Sequence, residues 1–476
     1  VTRTPIDVTL LALMLVAACG GADGASPDAA PIVAGQVTLI ATPFRIMAGE
    51  TAVLTWSAEG ATALELVGIG DVTGRASATV MPTTTTLYEL RATLPSGVHV
   101  ATASVIVGTA PVDQPTWRQG MAAFEWKLLP STGLTVVPSP PLVGELDADG
   151  VPIVGGLGGR IHAWNGLAAD PATSRLYSAA NGGHADWAGN EVYELELAQE
   201  EPGWIMLRAP TAAQYVYRGD YNTGRYSDYY LDGRPGSTHS YYALHFLPSR
   251  GAVFRFGAGS LYGTGNEGNN HIDAFVLNAN DWVAAGTHPD LTPTRTDSIN
   301  LAVCRDPITD EVYVGSADNL RRYDPAGNVV DVLAPWLDNH TAVKAAACAV
   351  DRARGRVVFF GDAYAAPDGG LLYDVASDTW SKITFTGPAT NSAVNWHEAY
   401  AYYDETYGAF LLKPSASATV VRIEPTTWVA TALTTTGGAA QPDAINGVQT
   451  RFQYLPQLGG YAYFPTDAAV WFLATE

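Results

Sequence analysis

Apolar and polar residues alternate along most of this chain, in short runs. Between residues 36 and 108 the segments QVTLIATP, ETAVLTWSA, TALELVGI, ASATVMP, TLYELRATL and HVATASVIV tend to place apolar side chains at every second position. Successive side chains of a strand point to opposite faces, so this alternation predicts strands with one buried and one wetted face. Gly, Pro, Ser and Asp punctuate the runs, as turns between strands require. Six or seven short strands in so compact a stretch predict a small β-sandwich.

After a Pro-containing linker at 109–117, the pattern becomes a repeat. Each unit has an apolar strand, a tight turn, a second strand, a loop, a third strand and often a Trp-bearing fourth. The turns read DPATSRLY from Asp170, LPSRGAVF from Leu247, DPITDEVY from Asp306, DRARGRVV from Asp351, DETYGAF from Asp404 and LPQLGGYAY from Leu455. The third strands and their exits read EVYELEL, IDAFVLNANDW, NLRRYDPAGN, LLYDVASDTW, VVRIEPTTW and AVWFLATE, with Trp282, Trp380 and Trp428 at one phase. The last unit has only three strands, whereas AFEWKLLP around Trp126 reads as a lone fourth strand. The N-terminal strand is therefore expected to complete the last unit and remove the exposed edges.

These repeats resemble kelch-type β-propeller units over essentially all of 118–476. The Trp56 strand and TTTTLYELRA resemble bacterial immunoglobulin-like modules of the kind without a disulfide. The expected fold is therefore all-β: a kelch-like β-propeller preceded by an Ig-like β-sandwich at 36–108. Six blades are favoured; seven stay open because residues 134–160 are irregular.

The N-terminus reads as an address. Val8–Ala18 is an apolar run too short to span a bilayer, preceded by Arg3. It ends in Val16-Ala17-Ala18-Cys19, which resembles a bacterial lipoprotein signal. That resemblance makes residues 1–18 a signal peptide, Cys19 the lipidated residue, 19–35 a flexible tether, and the protein a lipid-anchored one at the cell surface. Gly20 lacks the acidic character of an inner-membrane retention signal, so the outer membrane is expected.

Composition narrows the partners. The formal net charge is −21, which repels nucleic-acid phosphates and argues against nucleic acid as a partner. Three cysteines are too few for a disulfide scaffold. Cys304 and Cys348 lie in the apolar runs LAVCRD and AAACAV and are expected to be small, unpaired core residues. Oligomeric state is not legible.

The repeat phase converts sequence position into spatial position. Counting back from each turn, His162 and His239 fall at one phase of the loop leading into the first strand, Trp396 and His397 at or beside it, and His340 a few residues earlier. The loops between second and third strands, which open on the same face of a propeller, carry His184, Asp186 and Asn190 in the first unit and Glu267 and His271 in the second. Between those units an insertion holds Tyr221, Tyr226, Tyr229 and Tyr230 with Arg225 and Arg234. Tyr and Arg supply flat stacking surfaces and forked donors, which suit sugars and their carboxylates. A polysaccharide or glycan is therefore the expected ligand of this face.

For the histidines, three uses stay open: a divalent metal, acid–base chemistry, or hydrogen bonds that pin loops. No closely spaced ligand pair favours the metal. A copper-radical cofactor, as in galactose-oxidase-like propellers, is not expected, because neither Cys304 nor Cys348 lies in a loop leading into a first strand. Asp147-Ala148-Asp149-Gly150 reads as a plain turn, with no downstream Glu to complete a calcium loop.

The order of residue types is similar to that of propeller polysaccharide lyases such as ulvan lyases. That resemblance implies β-elimination on a uronate. Arg225 or Arg234 would neutralise the carboxylate, His184 or Tyr229 would abstract the adjacent proton, and His239 or Tyr230 would protonate the leaving oxygen, with His162 in the same cleft. The alternative is a non-catalytic propeller that binds protein or glycan.

Overall fold

The computed structural model describes residues 37–476, apart from 85, 109–113, 135–136, 138–141, 220–225, 264–267, 293–300, 316–318, 337–345, 363–365, 395, 397, 416–417 and 476. Cys19 and the segments assigned to signal and tether lie outside the described residues.

The protein is all-β, built largely from four-stranded antiparallel sheets. In the N-terminal part, a three-stranded sheet joins Val37–Thr42, Ala52–Ala58 and Ser77–Val80. A five-stranded sheet runs Arg45–Met47, Gly97–Gly108, Thr86–Leu94, Ala63–Leu66 and Gly70–Asp71. The alternation in the sequence becomes alternation of burial: Ala52, Leu54 and Trp56 are buried while Val53 and Thr55 are exposed. Leu39 and Leu54 of one sheet share a core with Leu66, Leu90 and Val105 of the other.

Among the described residues six four-stranded sheets follow, the first five of them simple meanders. The first is Ala168–Asp170, Arg175–Ala179, Val192–Glu196 and Trp204–Arg208. The second is Leu244–Leu247, Ala252–Ala258, Asn269–Val276 and Asp281–Trp282. The third begins at Val303–Arg305, the fourth at Ala347–Asp351 and the fifth at Tyr400–Asp404. The sixth takes Phe452–Leu455, Gly460–Tyr463 and Val470–Ala474 from the C-terminus and its outer strand, Trp126–Leu129, from far upstream. Leu473 pairs with Trp126 and Val470 with Leu129. This pairing gives Val470–Ala474 its second neighbour in the sheet.

The turn after each first strand has a common chemical cause. Its fifth residue adopts a left-handed backbone in all six sheets: Ser174, Gly251, Asp310, Gly355, Gly408 and Gly459. Four are glycine, which meets no Cβ penalty there. At Asp170, Asp306 and Asp404 the aspartate that opens the turn also caps it, whereas Asp351 is held by Arg354 and Arg356. Asp306 Oδ1 accepts from the amides of Ile308 and Thr309, and Asp404 Oδ1 from those of Thr406 and Tyr407.

First strands of neighbouring sheets pack side by side: the first against the second, the third against the fourth, the fourth against the fifth, and the sixth back against the first. This arrangement is compatible with a propeller.

The expectation for two cysteines is corrected. Cys304 and Cys348 form a disulfide, with Cα atoms 5.6 Å apart. They lie on the first strands of the third and fourth sheets. The apolar runs around them are buried as expected, but adjacency of the two strands places the thiols face to face.

Candidate functional site

The loop from Ala180 to Glu191 in the first sheet folds back on itself. The Gly183 amide donates to Trp187 O, and the His184 amide donates to Ser260 O of the neighbouring sheet. His184 takes a left-handed backbone, which turns its half-buried side chain toward the next sheet. There it meets His239, with ring centroids 6.4 Å apart and edge to face.

His239 is the centre of the group. Its Nε2 lies 2.9 Å from Asp186 Oδ2, and its Nδ1 lies 3.4 Å from the Tyr241 hydroxyl. The Trp164 ring lies 5.3 Å from it at a shallow tilt. The His239 side chain is only 5% exposed, whereas that of Asp186 is 43% exposed. Contact with a ligand therefore falls to the carboxylate, and the buried imidazole orients it.

Burial lowers the pKa of His239, partly opposed by Asp186. The hydrogen bond from His239 lowers that of Asp186. At neutral pH the pair is an exposed carboxylate held by a neutral ring. Burial raises the Tyr241 hydroxyl, with Glu398 and Asp186 adding to the shift. The charged neighbours that act on this group are thus carboxylates and histidines.

His162 has a different partner. Its Nε2 lies 2.9 Å from Asp467 Oδ1 of the sixth sheet. His162 precedes the end of its first strand, Asp170, by as many residues as His239 precedes Leu247. Both histidines therefore reach back to an aspartate in the second-to-third-strand loop of the sheet packed before them.

The remaining candidates serve other partners. Tyr229 donates to Asp273 Oδ1 at 2.8 Å, and Arg255 grips the other oxygen of that carboxylate. Burial, reinforced by Asp273, raises the Tyr229 pKa far above the ordinary phenol value. His271 packs on Tyr229 at 5.3 Å and lies 2.7 Å from Asp290 Oδ1. Tyr230 is buried; its hydroxyl donates to Ala188 O and accepts from the Ser237 amide. Asn190 is buried and ties the loop to Thr211 and Pro235. Arg234 lies 3.6 Å from Asp281 and 3.7 Å from Asp232. Trp396 is buried in a core cluster, edge to face with Phe385. Tyr226 is half-buried in the insertion. Tyr221, Arg225, Glu267, His340 and His397 lie outside the described residues.

Asp147 forms a plain turn: its Oδ1 accepts from the amides of Asp149 and Val151. Among the described residues, no group of three or more His, Cys, Asp or Glu is arranged to hold a metal ion.

Sequence reasoning missed Trp164, Tyr241 and Asp467. The first two were within reach. Trp164, Tyr241, Glu398 and Gln449 precede the ends of their first strands by the same number of residues, and all four have left-handed backbones. Counting that phase for residues other than histidine finds them. Asp467 carries no such signal, because its loop differs in length from the one that holds Asp186.

No protein-family model matches the chain, and no curated protein does. Two solved structures are similar in outline. One is a structural genomics protein of unknown function from Bacteroides thetaiotaomicron, with a TM-score of 0.43 and 9% identity over 92% of this chain and 98% of that one. The other is described as an auxiliary nutrient binding protein from Bacteroides ovatus, with a TM-score of 0.42 and 10% identity over the same shares. Among the described residues no helix is long and apolar enough to cross a membrane.

Proposed function

We propose that this protein is a lipid-anchored cell-surface protein that binds an extracellular polysaccharide on one face of a six-bladed, kelch-like propeller. In this reading the six four-stranded sheets are the blades, residues 36–108 are an Ig-like sandwich, and Cys19 carries the anchor in the outer membrane. The blade reading is supported by the meander in the first five sheets, the shared turn and the side-by-side first strands.

One observation carries the binding site. Segments from two adjacent sheets bring His184, Asp186, His239, Tyr241 and the half-buried Trp164 together at one spot. An exposed carboxylate accepts sugar hydroxyls, and a flat aromatic ring covers a sugar's apolar face. Asn190, Tyr230, Arg234 and Trp396 are left out, because their polar groups or rings are committed to the protein's own interior.

A second reading, β-elimination, has one observation in its favour: His239 is held neutral, as a base must be, and is oriented by Asp186. Against it, Arg234 is occupied by carboxylates and His239 is almost wholly covered.

The test is to offer the whole protein a panel of immobilised neutral and uronate polysaccharides while following ultraviolet absorbance for unsaturated products. Retention without absorbance supports binding, and absorbance lost in His239→Ala supports elimination. A panel that is neither retained nor cleaved contradicts both.

A further inference from the structure

The segments leading into four of the first strands are bonded to one another. The Tyr241 amide donates to Trp164 O at 2.8 Å, and the Leu167 amide donates to Thr450 Oγ1 at 3.0 Å. The amides of Val448 and Gln449 donate to Glu398 O at 2.8 and 3.2 Å. The Tyr242 hydroxyl donates to Ala399 O at 2.8 Å. In a ring of six the second and fifth sheets stand opposite each other, so this last bond crosses the centre. The contacts close a circle through the first, second, fifth and sixth sheets.

Each segment contributes one residue at the shared phase: Trp164, Tyr241, Glu398 and Gln449. Their φ angles are 50°, 46°, 54° and 43°. None is glycine, so the left-handed backbone is uncommon at each of them. Repeated four times at one phase, it turns the four side chains in the same sense relative to their strands.

Two of these residues extend the group around Asp186. The Tyr241 hydroxyl lies 3.4 Å from His239 Nδ1, and His239 Nε2 lies 2.9 Å from Asp186. From the opposite sheet, the bond between Tyr242 and Ala399 brings the half-buried Glu398 toward the same tyrosine. Both carboxylates add to the rise in the Tyr241 pKa that burial begins.

Gln449 gives an independent sign of a ligand. Its side chain is wholly buried, and Nε2 donates to Asn446 O at 2.8 Å. Its Oε1 has no donor among the described residues. A Cβ built on Gly447 would clash with Gln449 Nε2 and with Glu398 Oε2 alike, so the amide head and the carboxylate share one spot. A buried acceptor without a donor is costly, and a hydroxyl brought by a molecule seated on Glu398 relieves it.

We infer that the sugar site continues from Asp186 across the centre of the ring to the fifth and sixth sheets, where Glu398 and Gln449 are further acceptors of sugar hydroxyls. This deepens, and rests on, the reading of the protein as a polysaccharide binder. The ligand chemistry follows from the groups assembled. Asp186, Glu398 and Gln449 Oε1 accept, so the ligand donates from both of its edges, while the half-buried Trp164 ring takes an apolar sugar face.

The experiment is calorimetric titration of the whole protein with the hexasaccharides of the cello-, manno-, malto- and xylo- series and with hexagalacturonate, alongside a melting curve for each variant. At least one of the five is expected to bind. Glu398→Gln is expected to lower that affinity about tenfold, the scale of a charged hydrogen bond. Gln449→Met is expected to lower it about fivefold. Because Gln449→Met replaces an unpaired buried acceptor with an apolar side chain, its melting temperature should hold or rise.

If Glu398→Gln and Gln449→Met bind as the native protein does while Asp186→Asn loses affinity, the extension is overturned and the polysaccharide reading stands. If Glu398→Gln does not fold, Gln449→Met decides alone: a lower melting temperature with native affinity makes the amide a structural tie and overturns the extension. Absence of binding of all five sugars by the native protein overturns the reading beneath it, and the extension with it.

Discussion

His239 hydrogen-bonds Asp186 across the boundary between two sheets, and one sheet earlier His162 Nε2 lies 2.9 Å from Asp467 Oδ1 without forming a hydrogen bond. The two pairs differ in which partner faces water. At the first, the histidine is buried and the aspartate exposed; at the second, the histidine is the more exposed member, at 37% against 19%. Each pairing brings a histidine and an aspartate from neighbouring sheets together and leaves a polar group on the surface at the boundary.

The closing strand should dominate stability. Trp126 is buried against Phe452 and Tyr463 of the sixth sheet. Trp126→Ala is expected to cost about 3–5 kcal/mol, measured by chemical denaturation. Removing the chain up to residue 134 leaves the edge of the last strand bare, and the product should aggregate.

The disulfide is expected to form completely in protein recovered from an oxidising compartment. Cys304→Ser/Cys348→Ser, or reduction, should lower stability by about 2–4 kcal/mol, read as a fall in melting temperature. Free thiols at both positions in secreted protein would contradict the pairing.

The sequence showed the strands, the turns and the closing role of the Trp126 segment because each has a local cause: alternation, a left-handed position, an aspartate cap. It showed the phase of His162 and His239 for the same reason. The partners of those histidines were not legible. Asp186 and Asp467 sit in loops of different length, so no fixed spacing links either to its histidine. The Cys304–Cys348 bond was hidden by the same cause, since two apolar strands read alike whether or not they are neighbours. Tyr230 and Asn190 looked like ligand groups because residue type alone does not tell a loop tie from a binding contact.

Acid should destabilise the protein. Burial lowers the pKa of His239 and His288 and pushes that of His245 down to about 3. Across the window from about pH 6.5 down to about pH 3, the unfolded chain binds more protons than the folded one. Stability therefore rises with pH through that window and is lost as pH falls, by about 1.4 kcal/mol for each unit of a fully expressed shift. His245→Leu should flatten the decline in melting temperature. A melting temperature that climbs on acidification through this range would contradict the account.

Tyr230→Phe removes a hydroxyl that serves Ala188 and Ser237. It is expected to cost about 1–3 kcal/mol while leaving glycan affinity within about twofold of native. Thermal melting and the same titration separate the two effects.

The exposed carboxylate at the first boundary is the centre of the proposed function. The most direct test is equilibrium titration of the native protein and of Asp186→Asn with whichever polysaccharide the panel retains, alongside a melting curve for each. The account predicts a loss of affinity of about tenfold or more, the scale of one charged hydrogen bond, with melting temperature little changed. Equal affinity of the two proteins would contradict it.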